Sequence, residues 1–232
     1  MEALKFRLRG KTAFFKNPEV NSYYYFTFGQ IHKPALIGIF GAVMGYKGYE
    51  SKYNDYPEYY EKLKDIKIAM VPESENGYFP KKIQVFNNSV GYASGENTGN
   101  LVVKEQWLEN PSWIVYLMID GDISKRIAQM IHERKCVYMP YLGKNDHPAV
   151  IEDISFVSLK EKDGNEIQSL IPQDYISSKW DSFTFKYEEY LPAGLKLSTN
   201  QYIMKKFYFT DEDDFEIKEQ VFNDGQRNIV FF

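Results

Sequence analysis

The chain has 232 residues, a formal net charge of −4 and one cysteine. This length suits one large domain or two small ones with a hydrophobic core, and a lone cysteine excludes an intrachain disulfide. The three histidines and the cysteine lack the spacing of zinc ligands, so we expect neither a metal nor a cofactor. An apolar run at 34–46 is too short to cross a bilayer as a helix, and the first residues alternate in charge where a secretory signal would be apolar. We therefore expect a cytoplasmic protein without a membrane contact.

The charges are distributed unevenly along the chain. Residues 1–49 contain seven Lys or Arg and two Glu, a local net charge of +5, which leaves −9 for the rest. Residues 211–232 contain seven acidic and two basic side chains. Such polarity suits a subunit with one face for a polyanion and another for protein neighbours. The alternative is an ordinary solvated surface.

The first predicted element is a strand over residues 3–9, in which apolar and basic side chains alternate. Lys5, Arg7 and Arg9 therefore share one face. Like charges at this spacing repel one another unless an anion lies between them, and a phosphodiester backbone is the commonest extended anion in a cell. We therefore predict that Arg7 and Arg9 bind phosphates.

The next segment, residues 11–33, places aromatic rings among basic and amide side chains. Bases stack on rings while Lys and Arg hold phosphates, so this mixture is typical of a site for single-stranded RNA. The alternative is that a chain with 19 Tyr and 17 Phe packs its rings across strands. The candidate RNA-binding residues of this segment are Lys11, Phe15, Lys16, Asn17, Tyr23, Tyr24 and Tyr25.

Residues 34–46 are predicted to form a helix that begins near Pro34 and is apolar on every side. Glycines at 38, 41, 45 and 48 fall within one arc, which indicates close approach of the backbone to a sheet or to a ligand. Free N–H groups at the helix start, with His32 and Lys33 beside them, predict an anion site. Lys47 adds a cation just past the far end.

A strand is predicted over 66–71, and the span after it, 72–100, is rich in Gly, Asn and Ser with little regular pattern. A span of this length is unusual inside a compact domain, so we interpret it as an inserted arm. Lys81, Lys82 and Phe86 could then reach a nucleic acid or a neighbouring subunit. A plain surface excursion is the alternative.

Further strands are predicted over 101–107, 113–119 and 150–159, with a helix between the last two that is capped by Asp122 and exposes His132. This order, strand, helix, strands, helix, strand, is typical of the split βαβ or ferredoxin-like (RRM-like) fold, which leaves one sheet face open for a ligand. Beyond residue 165 only strands are predicted, over 183–190, 201–210, 215–222 and 228–232. The sequence therefore predicts an α+β protein with a ferredoxin-like domain at 1–160 and a β-rich region at 161–232.

Motifs of common enzymes are absent from the sequence. The segment 91–95 lacks the central serine of a nucleophile elbow, and no glycine-rich loop ends in Gly-Lys-Ser or Gly-Lys-Thr. The four acids at 211–214 cannot all point at one magnesium ion, so a solvated turn is the better interpretation. Neither a hydrolase nor an NTPase is supported.

Two stretches carry a resemblance to a known family. They read "FFKNPEVNSYYYFTFGQIHKPALIGIFGAVMG" at 14–45 and "MPYLGKNDHPAVIEDI" at 139–154. The chain resembles the CRISPR-associated Cas-five family of the RAMP superfamily, and it is most similar to the type I-B branch. The similarity covers residues 1 to about 160. Its motifs are the glycine-bearing helix from Pro34 to Gly45 and the turn from Pro140 to Gly143.

The resemblance implies a subunit of the type I Cascade surveillance complex, an antiviral ribonucleoprotein. Such a subunit caps the 5′ handle of the crRNA, contacts the backbone and large subunits, and often inserts a thumb-like arm against the RNA. Residues 72–100 would be that arm. A contact with target DNA near the PAM is left open.

Catalysis is the rival interpretation. A type I-C relative is similar in fold but cuts precursor crRNA without a metal, using Tyr, Lys and His around the 2′-hydroxyl. Here only His32, with Lys33 and the tyrosines at 23–25, lies in the basic region, and these form no recognisable constellation. We therefore predict a non-catalytic RNA-binding subunit, with a metal-independent endoribonuclease as the alternative and a stand-alone RNA-binding module as a third.

Overall fold

The computed structural model describes residues 1–20, 23–49, 55–88, 101–164, 166–177, 186–212 and 215–232. In chain order the elements are β1 (Glu2–Arg9), β2 (Thr12–Ala13), α1 (Lys33–Met44), α2 (Glu58–Leu63), β3 (Ile68–Pro72), β4 (Lys81–Asn88), β5 (Leu101–Glu109), β6 (Ser112–Met118), α3 (Asp122–His132), β7 (Val150–Ser158), β8 (Lys160–Lys162), β9 (Ile171–Pro172), a single 3-10 turn (Gln173–Tyr175), β10 (Tyr187–Leu195), β11 (Tyr202–Phe209), β12 (Val221–Asn223) and β13 (Asn228–Val230). The mixture of several sheets with a few helices confirms the predicted α+β class.

The central sheet has four antiparallel strands in the order β3-β6-β1-β7. Helix α1 follows β1 and helix α3 follows β6. The alternation predicted for the first strand is confirmed, because Leu4, Phe6 and Leu8 of β1 are fully buried in the core that also contains α1 and α3. The Phe6 ring packs edge-on against Phe40 of α1, with 6.3 Å between centroids. Burial of each such side chain stabilises the fold by about 1.5–3 kcal/mol.

The opposite face of this sheet is covered around Ala3 and Tyr116, so the prediction that it would be open for a ligand is wrong for that part of the face. Leu159, Phe222 of β12 and Ile229 of β13 pack there against Ala3 and Tyr116. The cause lies in the strands themselves, since β3 and β6 present apolar side chains to both faces and a second layer must bury them.

The region beyond residue 165 adds two small sheets, with strand orders β10-β11-β9 and β13-β12-β8. The strand predicted over 201–210 is confirmed as β11, and the one predicted over 183–190 overlaps β10, from Tyr187 to Leu195, while residues 183–185 lie outside the described residues. Of the segment 215–222, the strand β12 contains only its last two residues. Leu170, Leu191 and Phe207 from this region join the same core as β1 and α1, so the two predicted parts share one hydrophobic interior. The division at residue 160 stays a prediction.

Two details of the helices differ from the prediction. The short helix α2 was not predicted, and α3 is capped by Gly121 rather than by Asp122. The Ser124 hydroxyl accepts the backbone N–H groups of Asp120 and Gly121, at 3.1 and 3.0 Å, and so satisfies donors at the helix start. His132 at the end of α3 is exposed, as predicted. No helix within the described ranges is both long and apolar enough to span a membrane.

Part of the predicted arm is regular structure. Residues 81–88 form β4, which pairs with β5 from Lys81 opposite Leu108 to Asn88 opposite Leu101. The prediction that 72–100 lacks a regular pattern is therefore wrong for these eight residues, where side chains on alternate positions face the same side of a hairpin. Residues 89–100 of the arm lie outside the described residues.

Candidate nucleic-acid interface

A cleft of about 940 Å³ runs along the glycine-bearing side of α1. Its walls come from the segment after β2, from α1 and the residues that follow it, from α2 and from the turn after α3. Basic and aromatic side chains dominate these walls, among them Lys16, Tyr25, Lys47, Tyr138, Tyr141 and Lys144. The cleft therefore offers both cations for phosphates and rings for bases.

The glycines of α1 allow a close approach, as predicted, but the approaching group is a tyrosine of α2 and not the sheet. A Cβ on Gly41 would lie 2.6 Å from the Cβ of Tyr59, and one on Gly38 would lie 3.7 Å from its ring. The sheet packs instead against the opposite side of the helix, through Leu36 and Phe40. The rest of the glycine side forms a smooth wall of the cleft.

His32 lies at the first end of α1 and acts as its N-cap. Its Nδ1 accepts the backbone N–H of Ala35 at 3.2 Å, so the neutral ring carries its proton on Nε2. The side chain is only 3 % exposed, and rings of Phe28 and Tyr202 surround it at 5.5 and 5.2 Å. Burial lowers the pKa of His32 to about 3, so it is neutral at pH 7. The imidazole of His32 thus binds a backbone N–H at the start of the helix, where the sequence predicted a site for an anion.

Lys16 and Tyr25 form the basic and aromatic pair of the cleft that the sequence predicted. The Lys16 ammonium lies 4.1 Å from the centroid of the Tyr25 ring, a cation–π contact. The backbone of Tyr25 hydrogen bonds to Lys104 and Gln106 of β5, both at 2.9 Å, and this fixes the ring beside the hairpin. Phe15 also lines the cleft but is 98 % buried, so it serves mainly the core.

Lys144 is a basic residue of the cleft that the sequence analysis missed. Its ammonium lies 3.0 Å from both carboxylate oxygens of Glu105, and the rings of Phe14 and Phe86 lie 5.5 and 5.4 Å from it. Glu105 is almost fully buried, so Lys144 is its counterion. The only sequence signal for Lys144 was its place directly after the turn that ends at Gly143.

Arg7 and Arg9 lie on β1, away from the cleft, and each is paired with a carboxylate. Arg7 Nε is 2.7 Å from Glu73, and its guanidinium also contacts Asp153, while Arg9 Nε is 2.6 Å from Glu152. The hydrogen bond to Glu73 raises the pKa of Arg7. The anions between these basic side chains are therefore acids of the chain itself, so repulsion gives no reason to place a phosphate there, and phosphate binding by Arg7 and Arg9 stays a prediction.

The other predicted residues are dispersed. Lys33 is largely buried outside the cleft, and burial lowers its pKa to about 8. Asn17 accepts the N–H of Glu19 at 3.0 Å and so stabilises its own turn. Tyr23 is 86 % exposed. Outside the cleft lining lie Lys11, Asn17, Tyr23, Tyr24, Lys33, Lys81, Lys82 and Phe86, whereas Phe15, Lys16, Tyr25, His32 and Lys47 are brought together in it.

Three of the dispersed residues, Lys81, Lys82 and Phe86, lie on the hairpin next to the cleft. Lys82 is 3.5 Å from Glu109 and lies over the ring of Trp107, and Phe86 contacts the same ring at 6.5 Å. Phe86 also lies beside Lys144, which does line the cleft. Within the described part of the chain, no three His, Cys, Asp or Glu side chains are grouped so that they could hold a metal ion.

Comparisons with known proteins bear on the fold. No family model matches the chain, and no curated protein sequence does. A chain of a CRISPR RNA-guided surveillance complex is 11 % identical over 92 % of this chain and 91 % of that one, with a TM-score of 0.54. A CRISPR protein from Archaeoglobus fulgidus is 12 % identical over 99 % and 98 % of the two chains, with a TM-score of 0.51.

The chain shares its fold with these two proteins. The likeness extends over nearly the whole of each chain, so it includes the small sheets beyond residue 165 and the central sheet alike. At this level of identity the likeness concerns the arrangement of the backbone, and the chemistry of the cleft has to be argued from its own residues.

Proposed function

We propose that the protein is a non-catalytic RNA-binding subunit of a type I CRISPR Cascade surveillance complex in the cytoplasm. The protein is then a member of the Cas-five family, most similar to the type I-B branch. In the complex it caps the 5′ handle of the crRNA. Its protein partners are the backbone and large subunits. A fold shared with a chain of an RNA-guided surveillance complex supports this proposal.

The cleft along α1 is the observation that carries the proposal. It combines Lys16 and Lys47 with the rings of Tyr25, Tyr138 and Tyr141 beside a helix wall with few side chains. Single-stranded RNA needs this combination, because cations bind the phosphates while rings stack on bases that are not paired. An RNA end held here would be protected on three sides by the walls of the cleft.

The strand order supports the ferredoxin-like arrangement within this proposal. The central sheet has the order β3-β6-β1-β7, with helices after its first and third strands in the chain. Because β12 and β13 cover part of the face of the sheet that RRM-like proteins use for RNA, we propose that the RNA lies on the side of α1. The β4–β5 hairpin, with Lys82 and Phe86 near the cleft, would be the base of the thumb-like arm.

The state of His32 favours binding over catalysis. A general base works best with a pKa near the working pH, whereas burial lowers the pKa of His32 to about 3 and its Nδ1 is taken by the backbone. His32 is therefore a poor proton acceptor for attack by a 2′-hydroxyl. This supports the non-catalytic proposal over the metal-independent endoribonuclease.

The test is incubation of the purified protein with labelled repeat RNA in EDTA. We expect the RNA to be retained and to stay intact. A product cut at one position would overturn the non-catalytic assignment and favour the endoribonuclease. Expression with the backbone and large subunits tests the assembly, since failure to copurify with them and with crRNA would favour the stand-alone module.

A further inference from the structure

One part of the cleft is lined by hydroxyl groups instead of ammonium groups. It is formed by His32 at the start of α1, Tyr49 after that helix, Tyr59 of α2 and Tyr202 of β11. The rings of His32 and Tyr202 are 5.2 Å apart, and those of Tyr49 and Tyr59 are 6.4 Å apart. Three separate regions of the sequence thus supply one aromatic cluster, which we call the tyrosine cluster.

The side chains of His32, Tyr59 and Tyr202 are uncharged at neutral pH. Burial, and then the neighbouring Tyr49, raise the pKa of Tyr59 above its ordinary range. Burial, with a smaller effect of Tyr49, raises the pKa of Tyr202 to about 12. His32 is neutral for the opposite reason, because burial disfavours its charged form. The cluster therefore offers hydrogen-bond donors and acceptors without a net charge.

Two nearby tyrosines outside the cluster, Tyr56 and Tyr60, use their hydroxyls to bind the backbone. The Tyr60 hydroxyl accepts the backbone N–H of Leu195 at 2.7 Å, and the Tyr56 hydroxyl donates to the carbonyl of the same residue at 3.0 Å. Those two hydroxyls fasten α2 to β10. In contrast, Tyr59 lies next to Tyr49, with 6.4 Å between the ring centroids, and the Tyr49 side chain is 62 % exposed.

The surroundings of the cluster suit a flat ring. At Gly38 a Cβ would have only the Tyr59 ring within 4 Å among the described residues, so the helix backbone is accessible from the cleft. A planar group can lie against such a wall and against the tyrosine rings at once. A phosphate would gain little here, because uncharged hydroxyls do not offset its charge as the ammonium groups of Lys16 and Lys47 do.

We infer that the tyrosine cluster is a pocket for one unstacked nucleobase of the bound RNA. The rings of Tyr59 and Tyr202 contact the face of the base, and the hydroxyls together with His32 Nε2–H bind its edge. The lysines elsewhere in the cleft bind the flanking phosphates. This inference rests on the proposed function and adds to it that the site selects a base at one position.

The test compares short labelled single-stranded RNAs of oligo-A, oligo-C, oligo-G and oligo-U with an abasic oligomer of the same length, by fluorescence anisotropy on the full chain. For the wild type we expect one of the four to bind about tenfold more tightly than the abasic oligomer. The double variant Tyr49→Phe with Tyr202→Phe keeps the rings and removes two hydroxyls. It is expected to reduce the preference among the four bases about fivefold.

Tyr190→Phe is the matched control, because it removes an exposed hydroxyl on β10 outside the cleft and should leave the preference unchanged. A thermal melt of each variant establishes that the fold is retained. If the wild type binds all five oligomers equally, the base pocket is wrong while RNA binding stands. If Tyr49→Phe with Tyr202→Phe keeps the full preference, the assignment to these residues is wrong. If no oligomer binds at all, the proposed function fails and the pocket fails with it.

Discussion

At the scale of single residues, Gly143 is the position where a substitution meets the hardest obstacle. Its φ is +90°, and an added Cβ would lie 1.8 Å from the backbone oxygen of Phe14. That oxygen cannot move independently, because the Phe14 N–H is bonded to the carbonyl of Leu142 at 3.1 Å. We expect Gly143→Ala to lower the free energy of unfolding by about 2–4 kcal/mol, measured by urea denaturation.

Gly225→Ala separates the clash from the backbone strain in that experiment. Gly225 also has a positive φ, +93°, but among the described residues, its two chain neighbours apart, no atom lies within 4 Å of the position of its Cβ. It should cost about 1 kcal/mol, from the left-handed backbone alone. Equal losses in the two variants would show that contact with Phe14 contributes nothing.

The pH dependence of stability should report the burial of His32. Below pH 6.5 the unfolded chain protonates this histidine, whereas the folded chain keeps it neutral down to about pH 3. The unfolded state then binds more protons, so stability falls as the pH falls through this window. His32→Asn keeps an N-cap acceptor without a titrating ring. Between pH 6.5 and 5 we expect the wild type to lose up to about 1.4 kcal/mol per pH unit more than the variant.

Chemical denaturation at several pH values measures this difference. A wild-type slope no steeper than that of His32→Asn would mean that the imidazole is not held neutral by the fold. His147, whose pKa is also lowered, mainly by burial, contributes a dependence of the same sign to both proteins and cancels in the comparison.

The sequence showed which residues share a face but not what they contact. The alternation in β1 correctly placed Arg7 and Arg9 on one side of a strand. Their partners, Glu73 and Glu152, lie 66 and 143 residues away along the chain, and no local pattern connects them. A repulsion argument based on neighbouring charges alone therefore assigned to a phosphate a place that the fold had already filled with carboxylates.

At the scale of elements, the contact between α1 and α2 gives a matched pair of substitutions. An added Cβ on Gly41 would lie 2.6 Å from the Cβ of Tyr59. One on Gly38, one turn earlier in the same helix, would lie 3.7 Å from the Tyr59 ring. Gly41→Ala should force α2 outward and cost about 1–3 kcal/mol. Gly38→Ala should be neutral or stabilising by up to about 1 kcal/mol, because alanine is the better helix former.

Thermal unfolding of the two variants, monitored by circular dichroism, measures the difference. Destabilisation by Gly38→Ala as large as that by Gly41→Ala would contradict the packing of Tyr59 on one glycine in particular. Gly38→Ala also narrows the cleft at the wall formed by α1. The RNA affinity of this variant, measured in parallel, therefore shows whether the ligand approaches the helix backbone.

Elements with a strong local sequence pattern were predictable. Elements that are short, or that depend on contacts with distant residues, were not. β1 and α3 follow periods of 2.0 and 3.6 residues over seven positions or more, whereas α1 was predicted from its apolar run and from Pro34; the structure confirms all three to within a few residues. Helix α2 has only six residues and no apolar stripe of useful length, so its stability comes from Tyr60 and Leu63 in the core. The strand β4 was hidden in a segment whose composition resembles a loop.

At the scale of the whole molecule, the unequal charge of the sequence is used largely for holding the chain together. Lys5 of the basic N-terminal region is 2.6 Å from Asp224 of the acidic C-terminal region. Burial alone would raise the pKa of Asp224, but hydrogen bonds from Lys5 and Tyr116 outweigh it and lower the value to about 2. This contact joins the central sheet to the turn between β12 and β13.

The residues of the cleft could be predicted only in part, because several of them come from distant regions of the sequence. Lys16, Tyr25 and His32 lie close together in the sequence and were found by their composition. Tyr202 and Lys144 come from distant regions that meet at α1 only after the chain has folded. The sequence itself holds no signal that these regions come into contact. The cleft residues from the later parts of the chain are therefore identified only in the structure.

The charge that matters for RNA can be located by two substitutions that change the net charge equally. Lys16→Ala removes a cation from the cleft, and Arg9→Ala removes one that is paired with Glu152 on β1. Any general effect of net charge on RNA affinity is therefore the same in both variants. We expect Lys16→Ala to weaken binding of labelled repeat RNA about fivefold to tenfold, and to reduce the slope of log affinity against log salt by about 0.7, as for one lost contact to a single strand.

Arg9→Ala should change the affinity less than about twofold and leave the salt slope unchanged. Filter binding at several salt concentrations measures both quantities, with the melting temperature of each variant as the check on folding. Equal losses in affinity and slope would mean that Arg9 leaves its carboxylate to bind a phosphate in the complex. The RNA path would then cross β1, as the sequence alone suggested, and the cleft along α1 would not be the principal site.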